Sequence, residues 1–223
     1  MQRPYVTLSW GQTLDGRLAT LTGDSQWIGG PESLTFAHEL RRDNDAILVG
    51  VGTVVKDNPR LTCRLPGGRN PLRVVLDAMI RTPVDAALVT SLDEAPTLVY
   101  GASGADPQRG DALRSRGVSV VTLDSPDGRI PLGPMLADLA HRGVTTLFVE
   151  GGAAVLTSFL GEGLADRVLV VTAPFLLGRG IEAVGDLGHR VLAQAPRPLS
   201  WRRWDLGDDS VTELIYRPRG EGS

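Results

Sequence analysis

Apolar residues fall along this chain in short unbroken runs rather than in long one-sided stripes. Residues 46–50 and 72–76 are continuous runs, and others recur at 87–89, 97–100, 118–122, 146–149 and 168–171. Runs of this kind mark strands buried on both faces, the habit of parallel sheets. Between them the spacing turns helical, which predicts helices over about 107–116, 132–142 and 152–162. A further helix is predicted over 31–43, where Pro31 stands at a first helical position and Leu34, Ala37, Leu40 and Arg41 follow at helical spacing. A first strand begins at Tyr5 and runs into Gly11 and the turn-rich Leu-Asp-Gly at 14–16. Strand and helix in alternation define the class as α/β with a largely parallel sheet. After Ala173-Pro174 the alternation stops, and 199–206 with 210–216 read as an antiparallel hairpin joined by Gly207-Asp208-Asp209. No repeat or boundary is visible, so one domain over 1–223 is expected, loose at 103–110 and in a tail over 217–223.

Composition narrows the function more than the fold. With 223 residues, 42% hydrophobic and 22% charged, the chain is long enough for a sizeable core and unlike a disordered or fibrous one. Its apolar runs are far short of the roughly 18 residues of a membrane span. A net charge of −3 provides no overall basic field, so generic nucleic-acid binding is disfavoured. Lys56 is the sole lysine; no P-loop is present, and Schiff-base chemistry would have to use that residue. One cysteine, Cys63, and three scattered histidines, His38, His141 and His189, offer neither an internal disulfide nor metal-ligand spacing. A cytoplasmic protein with no metal is expected. The N-terminus shows no apolar segment before a cleavage site, so no secretory signal is expected.

Four clusters could carry chemistry, and each has a plainer reading. Gly50-Val51-Gly52-Thr53 follows a buried strand and reads as a ligand cradle or as a tight turn. Glu150-Gly151-Gly152-Ala153 ends a strand and opens a helix, a place for a pyrophosphate or simply a helix cap. The loop from Asp57 to Arg64 is dense in donors and acceptors; Asx-Pro turn chemistry explains Asp57 to Pro59 but not the arginines. In the polar loop from Gly23 to Ile28, Trp27 covers a planar ligand or fills the core. The histidines read as solvated or satisfied side chains and Cys63 as a packing residue. No Gly-x-Ser-x-Gly elbow surrounds any serine.

Taken in order, these stretches resemble the reductase domain of the riboflavin-pathway pyrimidine deaminase-reductases, members of the dihydrofolate reductase-like fold. The resemblance rests on Arg-Pro-Tyr-Val-Thr-Leu at 3–8, Leu-Asp-Gly-Arg at 14–17, Thr-Gly-Asp-Ser-Gln-Trp-Ile at 22–28 and Ala-Ile-Leu-Val-Gly-Val-Gly-Thr-Val at 46–54. It continues through Asp-Asn-Pro-Arg-Leu-Thr-Cys-Arg-Leu-Pro at 57–66, Leu-Arg-Val-Val-Leu-Asp at 72–77 and Val-Glu-Gly-Gly at 149–152, with Ser158-Phe159 and Ala173-Pro174 beyond. The deaminase motifs His-x-Glu and Pro-Cys-x-x-Cys are absent, which suits a stand-alone reductase.

The resemblance implies NADPH-dependent reduction of a ribosylamino-pyrimidine 5′-phosphate to the ribitylamino compound, with hydride delivered to C1′ of the open-chain imine. It implies Gly11, Trp27, Thr53 and Asp57 on the cofactor side, with Gly151, Gly152, Ala153, Ala154, Val155, Leu156, Thr157 and Ser158 at the helix start. On the substrate side it implies Ser25, Arg41, Leu61, Arg64 and Glu150. Arg41 and Arg64 suit the 5′-phosphate, since guanidinium forks match phosphate oxygens in pairs. Glu150 suits the amine and amide groups of the pyrimidine, and Asp57 with Glu150 are the catalytic candidates. Two departures stand out: Ser9, where many members carry a lysine, and Ala78, where many carry serine or threonine after Leu-Asp. A homodimer formed through the C-terminal strands is expected by the same analogy. Rival readings are a reductase of another pyrimidine- or pteridine-derived metabolite, dihydrofolate included, and a non-catalytic nucleotide-binding module.

Overall fold

The computed structural model describes residues 3–26 and 28–220. In chain order its elements are β1 (Tyr5–Thr13), β2 (Arg17–Thr20), α1 (Pro31–Asp43), β3 (Ala46–Gly50), α2 (Val51–Asp57), β4 (Leu72–Leu76), α3 (Ala87–Thr90) and β5 (Thr97–Ala102). They continue with α4 (Pro107–Ser115), β6 (Ser119–Leu123), α5 (Leu132–His141), β7 (Thr146–Gly151), α6 (Ala153–Gly161), β8 (Arg167–Ala173), β9 (Gly180–Glu182), β10 (Ser200–Leu206) and β11 (Asp209–Ile215). The α/β class and the mostly parallel pairing agree with the apolar runs. The chain gathers into two compact units, both discontinuous in sequence: one holds residues 3–4 with His38–Phe148, the other Tyr5–Ala37 and residues 149–220.

In the first unit β3, β4, β5 and β6 lie side by side and parallel. Ile47, Leu48, Val74, Val75, Leu98 and Val99 are all buried, so β3, β4 and β5 need apolar side chains on both faces, whereas the edge strand β6 is half-buried to exposed, in contrast to its apolar run. Met135, Leu136 and Leu139 of α5 are buried at helical spacing. Helix α4 begins as its sequence dictates, with the Asp106 carboxylate accepting from the Gln108 N–H and Pro107 in the first turn.

Asp45, just before β3, ties the strand ends together. Its carbonyl accepts from Leu72 N–H (2.9 Å) and its own N–H donates to Thr146 Oγ1 (2.9 Å). Its carboxylate accepts from Thr145 N–H (3.0 Å), Thr145 Oγ1 (2.6 Å), Thr146 N–H (3.1 Å) and Arg69 (3.1 Å). Burial by itself would raise the Asp45 carboxyl, but these donors outweigh it and hold it at about 2.

The second unit orders its strands β10-β11-β8-β1, with β8 parallel to β1 and antiparallel to β11. The hairpin is present with a two-residue turn, Gly207-Asp208. Asp209 at its start accepts from Gly30 N–H (2.8 Å) and Ser33 Oγ (2.5 Å), supplying an acceptor at the beginning of α1. Glu213, buried on β11, is paired with Arg167 and Arg202. Asp166, also buried, accepts from Val6 N–H (2.8 Å) and pairs with Arg217 (2.8 Å). Arg217, expected to open a loose tail, is therefore held by an ion pair.

Three local expectations are corrected. The 87–89 run is not a strand but the helical turn α3; Ala87 N–H donates to Asn58 Oδ1 (2.7 Å) and Ser91 Oγ donates to Ala87 O (2.7 Å). A three-residue apolar run has no periodicity to distinguish the two. Residues 50–53, read as a ligand cradle or a tight turn, are the N-cap and first turn of α2. Part of the supposedly loose 103–110 stretch belongs to α4. The short strands β2 and β9, paired with each other, have no counterpart in the apolar pattern.

Asp45→Asn is expected to lower unfolding free energy at neutral pH by about 1 kcal/mol, a figure reduced for solvent screening. Because the folded carboxyl sits below its unfolded value of about 3.9, the stabilisation is present above that pH and is lost as pH falls towards the folded value. Denaturant melts of wild type and variant should therefore converge between pH 4 and 2.

Candidate active site

The first unit carries one group of candidates around the 57–64 segment. Helix α2 buries Val51 and Val54, leaving Gly52 exposed and Thr53 half-buried. Asp57 is the last residue of α2, not a loop residue, and its side chain is exposed. The turn that follows is made by its neighbour. Asn58 adopts the left-handed conformation (φ 43°), donates its N–H to Val54 O (3.1 Å) and accepts from Ala87 N–H. Asparagine tolerates this conformation better than most residues.

Arg41 and Arg64 converge on the same stretch. The Arg41 guanidinium donates to Thr62 O (3.2 Å). Arg64 is exposed, with its N–H 3.2 Å from His38 Nδ1 and its Nε–H 3.1 Å from His38 Nε2. A neutral imidazole has one acceptor nitrogen, so only one of these contacts is a hydrogen bond in a given tautomer. His38, read from sequence as a solvated or satisfied side chain, is satisfied here and braces Arg64; its place three residues before Arg41 on α1 was the available signal for the role. Leu61 is 2% exposed and has φ 55°, so its side chain belongs to the core at a position that disfavours branched residues.

The second unit carries the other group. Glu150 is half-buried at the end of β7, and Gly151 follows with φ 125°, a conformation open to glycine. The Gly151–Gly152 peptide is cis. Gly152 is the N-cap of α6 and supplies no side-chain cap, while its carbonyl accepts from Val155 and Leu156. An uncapped helix start behind two glycines fits a phosphate-bearing cofactor. Within that helix Leu156 is fully buried, Thr157 Oγ1 donates to Ala153 O (2.7 Å) and accepts from Gly185 N–H (2.9 Å), and Ser158 Oγ donates to Ala154 O (2.9 Å). These three side chains therefore serve core packing and local backbone bonds. Gly11 is an exposed position within β1, Ser25 is half-buried, and Trp27 lies outside the described residues. Ser9 is buried on β1, and Ala78 is half-buried just after β4.

No group of three or more His, Cys, Asp or Glu able to hold a metal occurs among the described residues, and no described helix is long and apolar enough to cross a membrane.

The architecture is that of a dihydrofolate reductase-like α/β protein. Residues 4–205 match the RibD C-terminal domain, and the chain belongs to that family. It is 42% identical over 211 residues to riboflavin biosynthesis protein RibD of Aquifex aeolicus, covering 94% of this chain and 57% of that protein. It is also 42% identical over 221 residues to the 2,5-diamino-6-ribosylamino-4(3H)-pyrimidinone 5′-phosphate reductase of Methanothermobacter thermautotrophicus, covering 96% of this chain and 99% of that one. The crystal structure of a diaminohydroxyphosphoribosylaminopyrimidine deaminase/5-amino-6-(5-phosphoribosylamino)uracil reductase from Thermotoga maritima is similar with a TM-score of 0.76 at 31% identity, over 96% of this chain and 56% of that one. The chain thus spans a little over half the length of these RibD relatives.

The two glycines should respond oppositely to alanine. Gly151→Ala is expected to cost about 1–3 kcal/mol in a denaturant melt, because φ 125° is strained for any side chain. Gly11→Ala meets no atom within 4 Å, so its melt should stay within about 0.5 kcal/mol of wild type.

Proposed function

We propose that this protein reduces a ribosylamino-pyrimidine 5′-phosphate to its ribitylamino counterpart, with NADPH as the reductant. The observation that carries this reading is the 42% identity to a named pyrimidinone phosphate reductase along nearly the whole of both chains. A nicotinamide cofactor follows from the reductase family; its 2′-phosphorylated form follows from the resemblance of the motifs. The cytoplasm and a homodimer complete the proposal; Leu199 and Trp201, exposed at and beside the start of β10, support the dimer.

When bound, the nicotinamide supplies the hydride that reduces C1′ of the open-chain imine. The protein's share is binding, orientation and proton supply. The uncapped start of α6, with the N–H groups of Ala153 and Ala154 behind Gly151 and Gly152, is assigned to the cofactor pyrophosphate, with Gly11, Trp27 and Thr53 as further contacts. Arg41 and Arg64 are assigned to the substrate phosphate, with Leu61 shaping their loop. Glu150 and Ser25 are assigned to the pyrimidine, with Glu150 accepting its hydrogen bonds. Asp57 delivers the proton that the imine nitrogen takes up as the hydride reaches carbon, directly or through a water. Its freedom from the Asn58 turn supports that role. Phosphate recognition distinguishes this reading from dihydrofolate reduction, since dihydrofolate has no sugar phosphate.

NADPH should be consumed on addition of the ribosylamino-pyrimidine phosphate and not on addition of dihydrofolate; the reverse pattern, or binding without turnover, would reject the proposal. Replacing Arg41 or Arg64 by Met should weaken substrate binding by about 1.5–3 kcal/mol, with NADPH affinity nearly unchanged. An equal loss for both ligands would remove the phosphate assignment. Asp57→Asn should fold and bind NADPH yet turn over roughly 100- to 10,000-fold more slowly; near-normal turnover would show that the acid is water or another group.

A further inference from the structure

The segment that carries Leu61 and Arg64 has no helix or strand to hold it. Residues 58–64 form no regular element, so side chains must fix the backbone. Arg73 donates to Arg60 O (3.2 Å), Arg41 to Thr62 O (3.2 Å), and the Cys63 N–H donates to Asn70 Oδ1 (2.8 Å). The Arg64 N–H meets His38 as described. Within this frame Leu61 keeps its left-handed conformation with the side chain buried, which persists only where its surroundings over-determine it.

Arg73 and Asn70 hold the frame from below. Arg73 lies on β4 and is wholly buried, yet it forms no ion pair with a carboxylate among the described residues. Its guanidinium instead donates to Ser91 Oγ (2.9 Å), Ser91 O (3.0 Å) and Ala95 O. Asn70 Nδ2 donates to Glu94 O (3.0 Å), and the Glu94 carboxylate pairs with Arg60. The 91–95 turn thus serves as a base onto which both residues lock the 60–63 backbone. A buried guanidinium is costly where an apolar side chain could fill the same volume; what it adds is a fixed spacing between two loops.

We propose that Arg73 and Asn70 are positioning residues for substrate recognition, holding the 60–63 backbone so that the adjoining Arg64 presents its guanidinium to the substrate phosphate. The inference rests on the assignment of Arg64 to that phosphate. Neither residue touches the ligand in this arrangement. Their effect passes through the loop, and a misplacement of about 1 Å is enough to weaken binding substantially.

The test combines Asn70→Ala, Asn70→Asp, Arg73→Met and Arg64→Met, alone and in pairs, with KM for each substrate, kcat, thermal melting and calorimetric binding of ribose 5-phosphate as readouts. Asn70→Ala should raise the pyrimidine phosphate KM and weaken ribose 5-phosphate binding about tenfold, with kcat and NADPH KM within about twofold. Asn70→Asp keeps the acceptor for the Cys63 N–H but loses the donor to Glu94 O, so it should recover only part of the loss. In an Arg64→Met background Asn70→Ala should have no further effect, because nothing is left to position. A full additional loss there, or an unchanged KM for Asn70→Ala alone, would overturn the proposal. Should Arg73→Met fail to fold, the Asn70 pair decides the matter. If Arg64→Met alone leaves KM and ribose 5-phosphate binding unchanged, the phosphate assignment itself falls and takes this inference with it.

Discussion

Burial of β3, β4 and β5 on both faces governs where polar chemistry can sit in the first unit. A strand such as Ala46–Gly50 or Leu72–Leu76, covered above and below, has no solvated face to carry a ligand group. Unpaired polar atoms there are costly, and Arg73, the one charged side chain on β4, turns its terminal nitrogens to carbonyls and a hydroxyl while its Nε has no partner among the described residues. Side chains that must meet a ligand are therefore confined to strand ends and the connections beyond them. Helix α2 follows β3 at Gly50, and Asp77 follows β4. Asp77 shows how stringent the burial is: one carboxylate oxygen accepts from Thr82 N–H (2.6 Å) and Thr82 Oγ1 (2.7 Å), while the other has no partner among the described residues. The general rule that ligands gather outside the carboxyl ends of parallel strands follows from the same constraint.

The sequence exposed these strands because two-sided burial writes itself as continuous apolar runs. Helices α1, α4, α5 and α6 were legible from spacing and, at Pro31 and Pro107, from proline at the first turn. Helix α2 was missed because Gly50 is a cap without a side chain; the Val51 and Val54 pair at i, i+3 was the signal present. For the candidate site, motif order pointed to the family, but not to which side chains are committed internally. Leu156 and Thr157 lie in a motif yet serve the core and a backbone bond, whereas His38 and Asn70 lie outside any motif and brace the arginine loop. Such roles depend on contacts between residues far apart in sequence, for which local pattern carries no information.

Arginine is used in two opposite ways within one stretch of chain. Arg64 is exposed, where a planar fork can meet a phosphate bidentately. Arg73 is sealed in, where the same fork gathers carbonyls from two loops. A lysine could replace neither: it has no paired donor geometry for the first and no fan of directed N–H groups for the second. The near-absence of lysine from this chain is consistent with these demands, and it bears on the departure at Ser9. That position is buried on β1, so a cation there would need a partner or a ligand to offset its desolvation. With serine this position supplies no cation.

The Leu-Asp-Gly-Arg stretch shows why a family signature and a catalytic group need not coincide. Asp15 accepts from Thr13 Oγ1 (2.6 Å), Leu177 N–H (3.1 Å) and Gly178 N–H (2.7 Å), and these donors hold its carboxyl at about 2. Arg17 donates to Gly178 O (2.9 Å) and pairs with Glu182 (2.9 Å). Gly16, at φ 78°, makes the turn that lets both side chains reach the same loop. Every polar group of the motif is thereby engaged in holding residues 177–182 beside β2, which explains its residue types without assigning it a step in the reaction. Asp57 contrasts with it: its neighbour Asn58 makes the local turn, and the carboxylate stays on the surface. Of two aspartates equally prominent in sequence, one is spent on its own loop and the other is left exposed at a helix end.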